Sequence, residues 1–452
     1  MKSYIIHNTS YIVLLLVIAL TSCHFREQEF VDFTNIEAAK GLSFKVIGQR
    51  ETNLEEGLPT DCYLPDGSNV NEWSEESEEA EESTGSANPA IRKTSSVTGT
   101  AIVQELLRYG NQCHVTEIVG TYPTIDLNWD TVILSGKVML PRGQRPKRMI
   151  LVSHYTVCSN AEAPSNCFSL EGILVKQGYG LIIPDYMGYG ITAKEVHPYL
   201  VMDLTARNVL DMYFAVKPWL KAVGMEPEHD EIILMGYSQG GANSMAVEHL
   251  IETEYWADED PDQVKIHRVF AGGGPYDVKA TYERFVNTDT ASYPVAVPLV
   301  VQGMIKGNNL NIDIRDLMQD WLYDHLDDWI NSKKYTSGQI NKLIGTKVTH
   351  NLLTPKALDQ TSWEVSELQK AMVANSITSY NWIPEAPVYI CHSIDDETVP
   401  FANASNAKAK WHMSNITYNL GHYGGHVLTC LRFIGSVQEL LKQEEEERKE
   451  YE

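Results

Sequence analysis

Basic residues are scarce. Lysine and arginine total 36 against 60 aspartates and glutamates, a formal net charge of −24 over 452 residues. A surface of that sign repels a polyphosphate, so nucleic acid is excluded as a partner. The usual zinc spacings are missing as well: no Cys-x-x-Cys pair and no His-Glu-x-x-His occurs, and a metal site is not expected. Internal repeats are lacking. The apolar run at residues 11–20, behind Lys2, is too short to span a bilayer comfortably. What is present is ample core material, 43% hydrophobic residues. The length fits one large domain with insertions, or two domains.

The run at 11–20 has the form of a targeting segment. It ends in Leu20-Thr21-Ser22-Cys23, which resembles a bacterial lipobox. That resemblance implies a lipoprotein signal peptide over 1–22, a lipid on the thiol of Cys23, and export to the cell envelope, periplasmic or cell-surface. Several acyl chains would anchor the protein stably where one would not. Residues 23–97 then read as a tether and an acidic low-complexity arm, a mobile arm or a peripheral layer and not a second domain, with Glu72, Glu75, Glu76, Glu78, Glu79, Glu81 and Glu82 in one run. The tail at 443–452 is mostly charged, and both stretches read as solvated chain. Of seven cysteines, six remain beside Cys23. An even number in an exported protein permits disulfides, and Cys158 and Cys167 flank a short loop, but sequence leaves the pairing open.

From residue 98 the chain alternates. Apolar helical spacing at 101–109 stops at Gly110. Strands are expected at 113–119, 122–127, 131–140, 149–153, 181–183, 232–235 and 265–271, with helices at 165–177, 199–223 and 242–255. Such alternation predicts an α/β fold, a doubly wound and mostly parallel sheet with helices on both faces. Right-handed crossovers put the loops after the strands on one edge. The alternation fails over 276–385, where helices are expected at 296–304, 314–329, 337–344 and 363–374. That stretch is too long for a connection and reads as an inserted helical cap. The sheet resumes at 388–391 and 415–420, with helices at 402–411 and 427–442. The core is therefore expected in two parts, 98–275 and 386–442.

The chemistry centres on Ile232-Ile233-Leu234-Met235-Gly236-Tyr237-Ser238-Gln239-Gly240-Gly241-Ala242. A buried strand runs into Gly-x-Ser-x-Gly and out into a helix. Gly236 and Gly240 permit the sharp turn, and Ser238 sits at its tip with the hydroxyl facing out. A serine hydroxyl is a weak nucleophile until a base removes its proton, and the base needs an orienting carboxylate. After the strand at 388–391 comes His392-Ser393-Ile394-Asp395-Asp396-Glu397-Thr398-Val399-Pro400. After the strand at 415–420 comes Gly421-His422-Tyr423-Gly424-Gly425-His426.

With these segments the chain resembles the α/β-hydrolase superfamily, in particular secreted lipase-like and esterase-like members with a helical cap. The resemblance spans about residues 98–441. It implies a Ser238, His426, Asp396 triad, since Asp396-Glu397-Thr398-Val399-Pro400 matches the family's acid loop and selects Asp396 over Asp395. His426 opens the final helix as the family's histidine does, with His422 as a rival. Ser393 departs from a common glycine. The oxyanion donors implied are the backbone N–H groups of Gln239 and of Tyr155 in the His154-Tyr155-Thr156 loop. That loop departs from the common His-Gly form. His154 and Asp185 read as structural. The cap aromatics Phe285, Tyr293, Trp321, Trp329, Trp363 and Trp382 line an acyl pocket or pack the cap itself, and packing is the reading for most. Trp129, Trp219 and Trp256 read as structural. The resulting expectation is a serine hydrolase of carboxylic esters, of small molecules, lipids or acylated carbohydrates, needing no cofactor. Two other readings stand beside it: a serine peptidase on the same fold, and a non-catalytic surface binding protein.

Overall fold

The computed structural model of the protein describes residues 31–73, 99–255 and 263–451. The expected signal peptide, Cys23, Trp256 and most of the acidic run lie outside these residues. Among the described residues nine strands form one sheet: β1 (Lys45–Asn53), β2 (His114–Ile125), β3 (Thr131–Pro141), β4 (Met149–Ser153), β5 (Gly180–Pro184), β6 (Ile232–Tyr237), β7 (Ile266–Gly272), β8 (Val388–Ser393) and β9 (Ile416–Gly421). Their spatial order is β1-β2-β3-β5-β4-β6-β7-β8-β9. The pairings from β1 through β3 to β5 are antiparallel. Those from β5 to β9 are all parallel. The expected mostly parallel sheet is therefore present, with an antiparallel edge.

β4, β5 and β6 are buried at every position. A strand with no polar face needs a layer on each side. α1 (Gly99–Leu106), α2 (Met202–Ala222) and α3 (Gln239–Glu254) are the first α-helices among the described residues. The period of two along β6 divides its side chains between the faces. Ile232 and Leu234 join the core that holds Val209 and Trp219 of α2. Ile233, Met235 and Tyr237 join the core that holds Val103 and Leu106 of α1. Each such buried aliphatic contributes about 1.5–3 kcal/mol.

The insertion carries α4 (Val278–Asn287), α5 (Ala296–Gly307), α6 (Asp320–Asp324), α7 (Ser337–Ile344), α8 (Pro355–Leu358) and α9 (Trp363–Ala374). Its apolar residues, such as Tyr282, Leu299, Ile340 and Leu368, are continuous with the α2 side of the sheet's core. The long helix expected over 314–329 is instead a 3-10 turn, α6 and a π-helical stretch at Leu326–Asn331. The segment 113–127, expected as two strands, is mostly the single long strand β2.

α10 (Ala402–Lys410) and α11 (His426–Tyr451) complete the chain. α11 corrects the expected charged tail, because the helix continues through it. Glutamate, lysine and arginine are good helix formers, and here they have partners on the sheet. Glu444 holds His267 at 3.0 Å and Arg268 at 2.6 Å, and Glu445 pairs with Lys147. Of the two readings of the segment before residue 98, a peripheral layer fits residues 45–70. Residues 45–53 add β1 to the sheet edge, and Leu54, Leu58, Cys62, Leu64 and Val70 are buried in the α1 side of the core. Trp129, expected to be structural, is 81% exposed at a hairpin tip. Cys158 and Cys167 are buried free thiols, as are Cys62, Cys391 and Cys430.

Candidate active site

Close packing explains the two glycines of the serine turn. A Cβ on Gly236 would lie 2.1 Å from the Gly240 oxygen, and one on Gly240 would lie 1.9 Å from the Ser153 oxygen. Only bare backbone lets β6 pass so close to α3 and β4. Between them Ser238 takes φ 56° and ψ −126°, a conformation that L residues rarely adopt and that surrounding structure must enforce. The strain places the hydroxyl ahead of the N-terminus of α3.

The last two sheet loops deliver the partners. His426 Nε2 lies 2.9 Å from Ser238 Oγ, and His426 Nδ1 lies 2.7 Å from Asp396 Oδ2. Asp396 Oδ1 accepts from the N–H groups of Thr398 at 2.9 Å and Val399 at 2.8 Å. These bonds fix the carboxylate from behind. The His426 carbonyl accepts from Tyr237 Oη at 2.7 Å, which ties the start of α11 to the residue before the nucleophile. All three side chains are buried. Burial pushes the Asp396 carboxyl up, but the His426 charge and hydrogen bond, with His392 and the Val399 N–H, outweigh it and hold it below 3.8. Burial likewise pushes the His426 imidazole down, and Asp396 outweighs that and raises it above 6.5. The outcome is an ionised carboxylate behind a strengthened base.

The structure brings together Ser238, Asp396 and His426. It does not bring in the rivals. His422 Nδ1 and Asp395 Oδ1 pair with each other at 2.7 Å in a separate, exposed position. His154 is buried, with Nδ1 2.6 Å from the Tyr155 oxygen and Nε2 3.3 Å from the Asp185 oxygen. Asp185 ties down its loop by accepting from Ser165 N at 2.8 Å and Ser135 Oγ at 2.5 Å. Gln239 is the first residue of α3, so its N–H has no acceptor within the helix. Tyr155 donates its hydroxyl to the Tyr63 oxygen, while Thr156, the next residue, lines the cavity above Ser238.

That cavity is apolar. Ser238 and His426 form part of its lining, and the cap supplies Tyr282, Phe285, Val297 and Val301. Of the aromatics considered from sequence, Phe285 and Tyr293 line it. Trp321 and Trp363 are exposed, and Trp382 packs on Trp411 at 5.8 Å. A second, wider and more polar cleft meets the site at His426 and Thr398, and Asp66, Asn341, Lys347 and Glu397 are on its walls. Sequence reasoning missed Pro65, which lines both spaces. It is held there because the Pro65 oxygen accepts from Tyr293 Oη at 3.1 Å.

A mostly parallel sheet, a strained serine between strand and helix, and a late-strand carboxylate and imidazole define an α/β-hydrolase of the lipase and esterase kind. Residues 165–435 match the secretory lipase family, and the chain belongs to that family. The match takes in Ser238, Asp396, His426 and the whole cap. Among solved structures, the rice cell wall degrading esterase LipA from Xanthomonas oryzae is similar at 20% identity and a TM-score of 0.63, covering 75% of this chain and 94% of its own. Candida antarctica lipase A is similar at 18% identity and a TM-score of 0.50, covering 69% of this chain and 73% of its own. At these identities the likeness is one of fold. No curated protein matches the sequence closely enough to carry an argument.

Proposed function

We propose that the protein hydrolyses carboxylic esters through an acyl-enzyme on Ser238. The observation that carries this reading is the 2.9 Å contact between Ser238 Oγ and His426 Nε2 on the wall of an apolar cavity. Ser238 Oγ attacks the ester carbonyl while His426 Nε2 takes its proton, and Asp396 stabilises the imidazolium. The tetrahedral oxygen is held by the N–H groups of Gln239 and Tyr155. His426 protonates the departing alcohol, and water then cleaves the acyl-enzyme by the same route. The acyl chain occupies the apolar cavity under the cap. The alcohol leaves on the side of His426 that opens to the polar cleft. No step calls for a cofactor or a metal.

Export agrees with the family and with the apolar run before Leu20-Thr21-Ser22-Cys23. A lipid on Cys23 would hold the enzyme at the membrane of the cell envelope. Among the described residues no helix is long and apolar enough to cross a membrane.

The test is a p-nitrophenyl ester series of increasing acyl length on protein lacking residues 1–23, beside Ser238→Ala. Turnover should depend on acyl length, and Ser238→Ala should lower kcat by about 10⁶-fold, as nucleophile removal does in serine hydrolases. Retained turnover in that variant overturns the assignment.

A further inference from the structure

The loop after β5 grips both sides of the oxyanion pocket proposed above. His197 is buried, and its Nδ1 lies 2.7 Å from the Met187 oxygen. A carbonyl only accepts, so Nδ1 carries the hydrogen and Nε2 keeps its lone pair. That lone pair faces Gln239 Nε2 at 3.0 Å and accepts from the amide. Burial, with the Lys333 charge nearby, pulls the imidazole down to about 3, so the ring stays neutral and the acceptor is preserved. The ring is wedged between Tyr189 at 5.1 Å and Tyr199 at 5.8 Å. Gly188, at φ 92°, lets the loop close on it: a Cβ there would lie 2.7 Å from the backbone of His197. The same loop holds the other side. Tyr186 stacks on His154 at 3.8 Å and donates its hydroxyl to the His154 oxygen at 3.1 Å.

We propose that His197 is a positioning residue for the oxyanion pocket: by accepting from the Gln239 side chain it fixes the first residue of α3, and so the Gln239 N–H, where the tetrahedral oxygen forms. The proposal rests on Gln239 as a donor in the reaction proposed above. Sequence gave no sign of it, because His197 carries no motif and meets Gln239 only through the fold.

The experiment measures kcat, KM, thermal midpoint and affinity for an acyl trifluoromethyl ketone in His197→Phe, His197→Gln and Gln239→Met. The ketone binds as an oxyanion, and a non-electrophilic alkyl alcohol of equal length serves as its ground-state control. In His197→Phe we expect kcat to fall about ten- to hundredfold, the scale of a misplaced catalytic group, with KM within about twofold. Ketone affinity should fall by the same factor and alcohol affinity should hold. His197→Gln, which retains an acceptor, should recover most of the loss, and Gln239→Met should match His197→Phe. An unchanged kcat overturns the proposal, as does a kcat loss without a matching loss of ketone affinity. Should His197→Phe not fold, Gln239→Met decides by the same criteria. If Ser238→Ala abolishes turnover and the brace variants behave as wild type, the His197 role alone falls. If Ser238→Ala is active, the proposed reaction falls with it.

Discussion

Two aspartate–histidine pairs join the same two loops of this protein. Asp396 meets His426 at 2.7 Å, and Asp395 meets His422 at 2.7 Å. The first pair has side-chain exposures of 0% and 4%, the second 42% and 73%. The first has Ser238 as a third partner at 2.9 Å. Equal distance therefore does not make equal chemistry. In water an ion pair of this kind is worth about 0.2–1 kcal/mol and is screened by salt. Removed from water and backed by two N–H groups, the same contact holds its carboxylate ionised and strengthens its imidazole.

Paired amide substitutions separate the two aspartates most widely. Asp396→Asn should lower kcat by about 10⁴-fold, the loss seen when a triad loses its carboxylate and the histidine its tautomer. Asp395→Asn, one residue away, should leave kcat within about twofold. Steady-state kinetics of the two variants side by side checks this, and equal losses would dissolve the distinction.

The inner pair also sets the pH profile. A general base works only when neutral, so kcat/KM should rise as pH passes through the His426 pKa. Asp396 holds that value above 6.5 against the pull of burial, so the acid limb should lie above 6.5. Stability has its own sign. The raised His426 value contributes stability below 6.5 that is lost as pH rises through the folded value. The lowered Asp396 value contributes stability above 3.8 that is lost as pH falls through the folded value. Both contributions are present between these limits. The difference in thermal midpoint between wild type and Asp396→Asn should be largest in that window. A smaller expected effect comes from Glu397, on the cleft wall beside Gly425, whose charge also raises His426 after Asp396 has done so. Glu397→Gln should move the acid limb down, by less than Asp396→Asn does, with kcat at its plateau retained.

The sequence made the inner pair legible because its members are local. Asp396 and His426 each stand just past a late strand, and Ser238 sits within a pentapeptide whose glycines are forced by backbone contact. The sheet was legible for the same reason, since β4, β5 and β6 are short unbroken apolar runs. Other features depend on distant partners. β1 alternates weakly and is mostly polar, so it reads as tether until it is seen paired with β2. Pro65 reaches the cavity only because Tyr293, more than two hundred residues later, holds it. The charged end of α11 reads as solvated chain because its partners, His267, Arg268 and Lys147, lie on or beside the sheet. His197 is one histidine among 14 until Gln239 is placed against it.

The smallest effect belongs to the outer histidine. Removing His422 takes away one surface contact and leaves Asp395 to water. Hydration replaces what the pair supplied, so little free energy is at stake. His422→Gln should therefore change kcat/KM by less than about twofold and stability by less than about 1 kcal/mol, and the acid limb of its pH profile should coincide with wild type. Chemical denaturation and a pH–rate profile measure both. A displaced limb would mean that the outer pair reaches the imidazole of His426 through space, and that the two pairs act as one four-membered system.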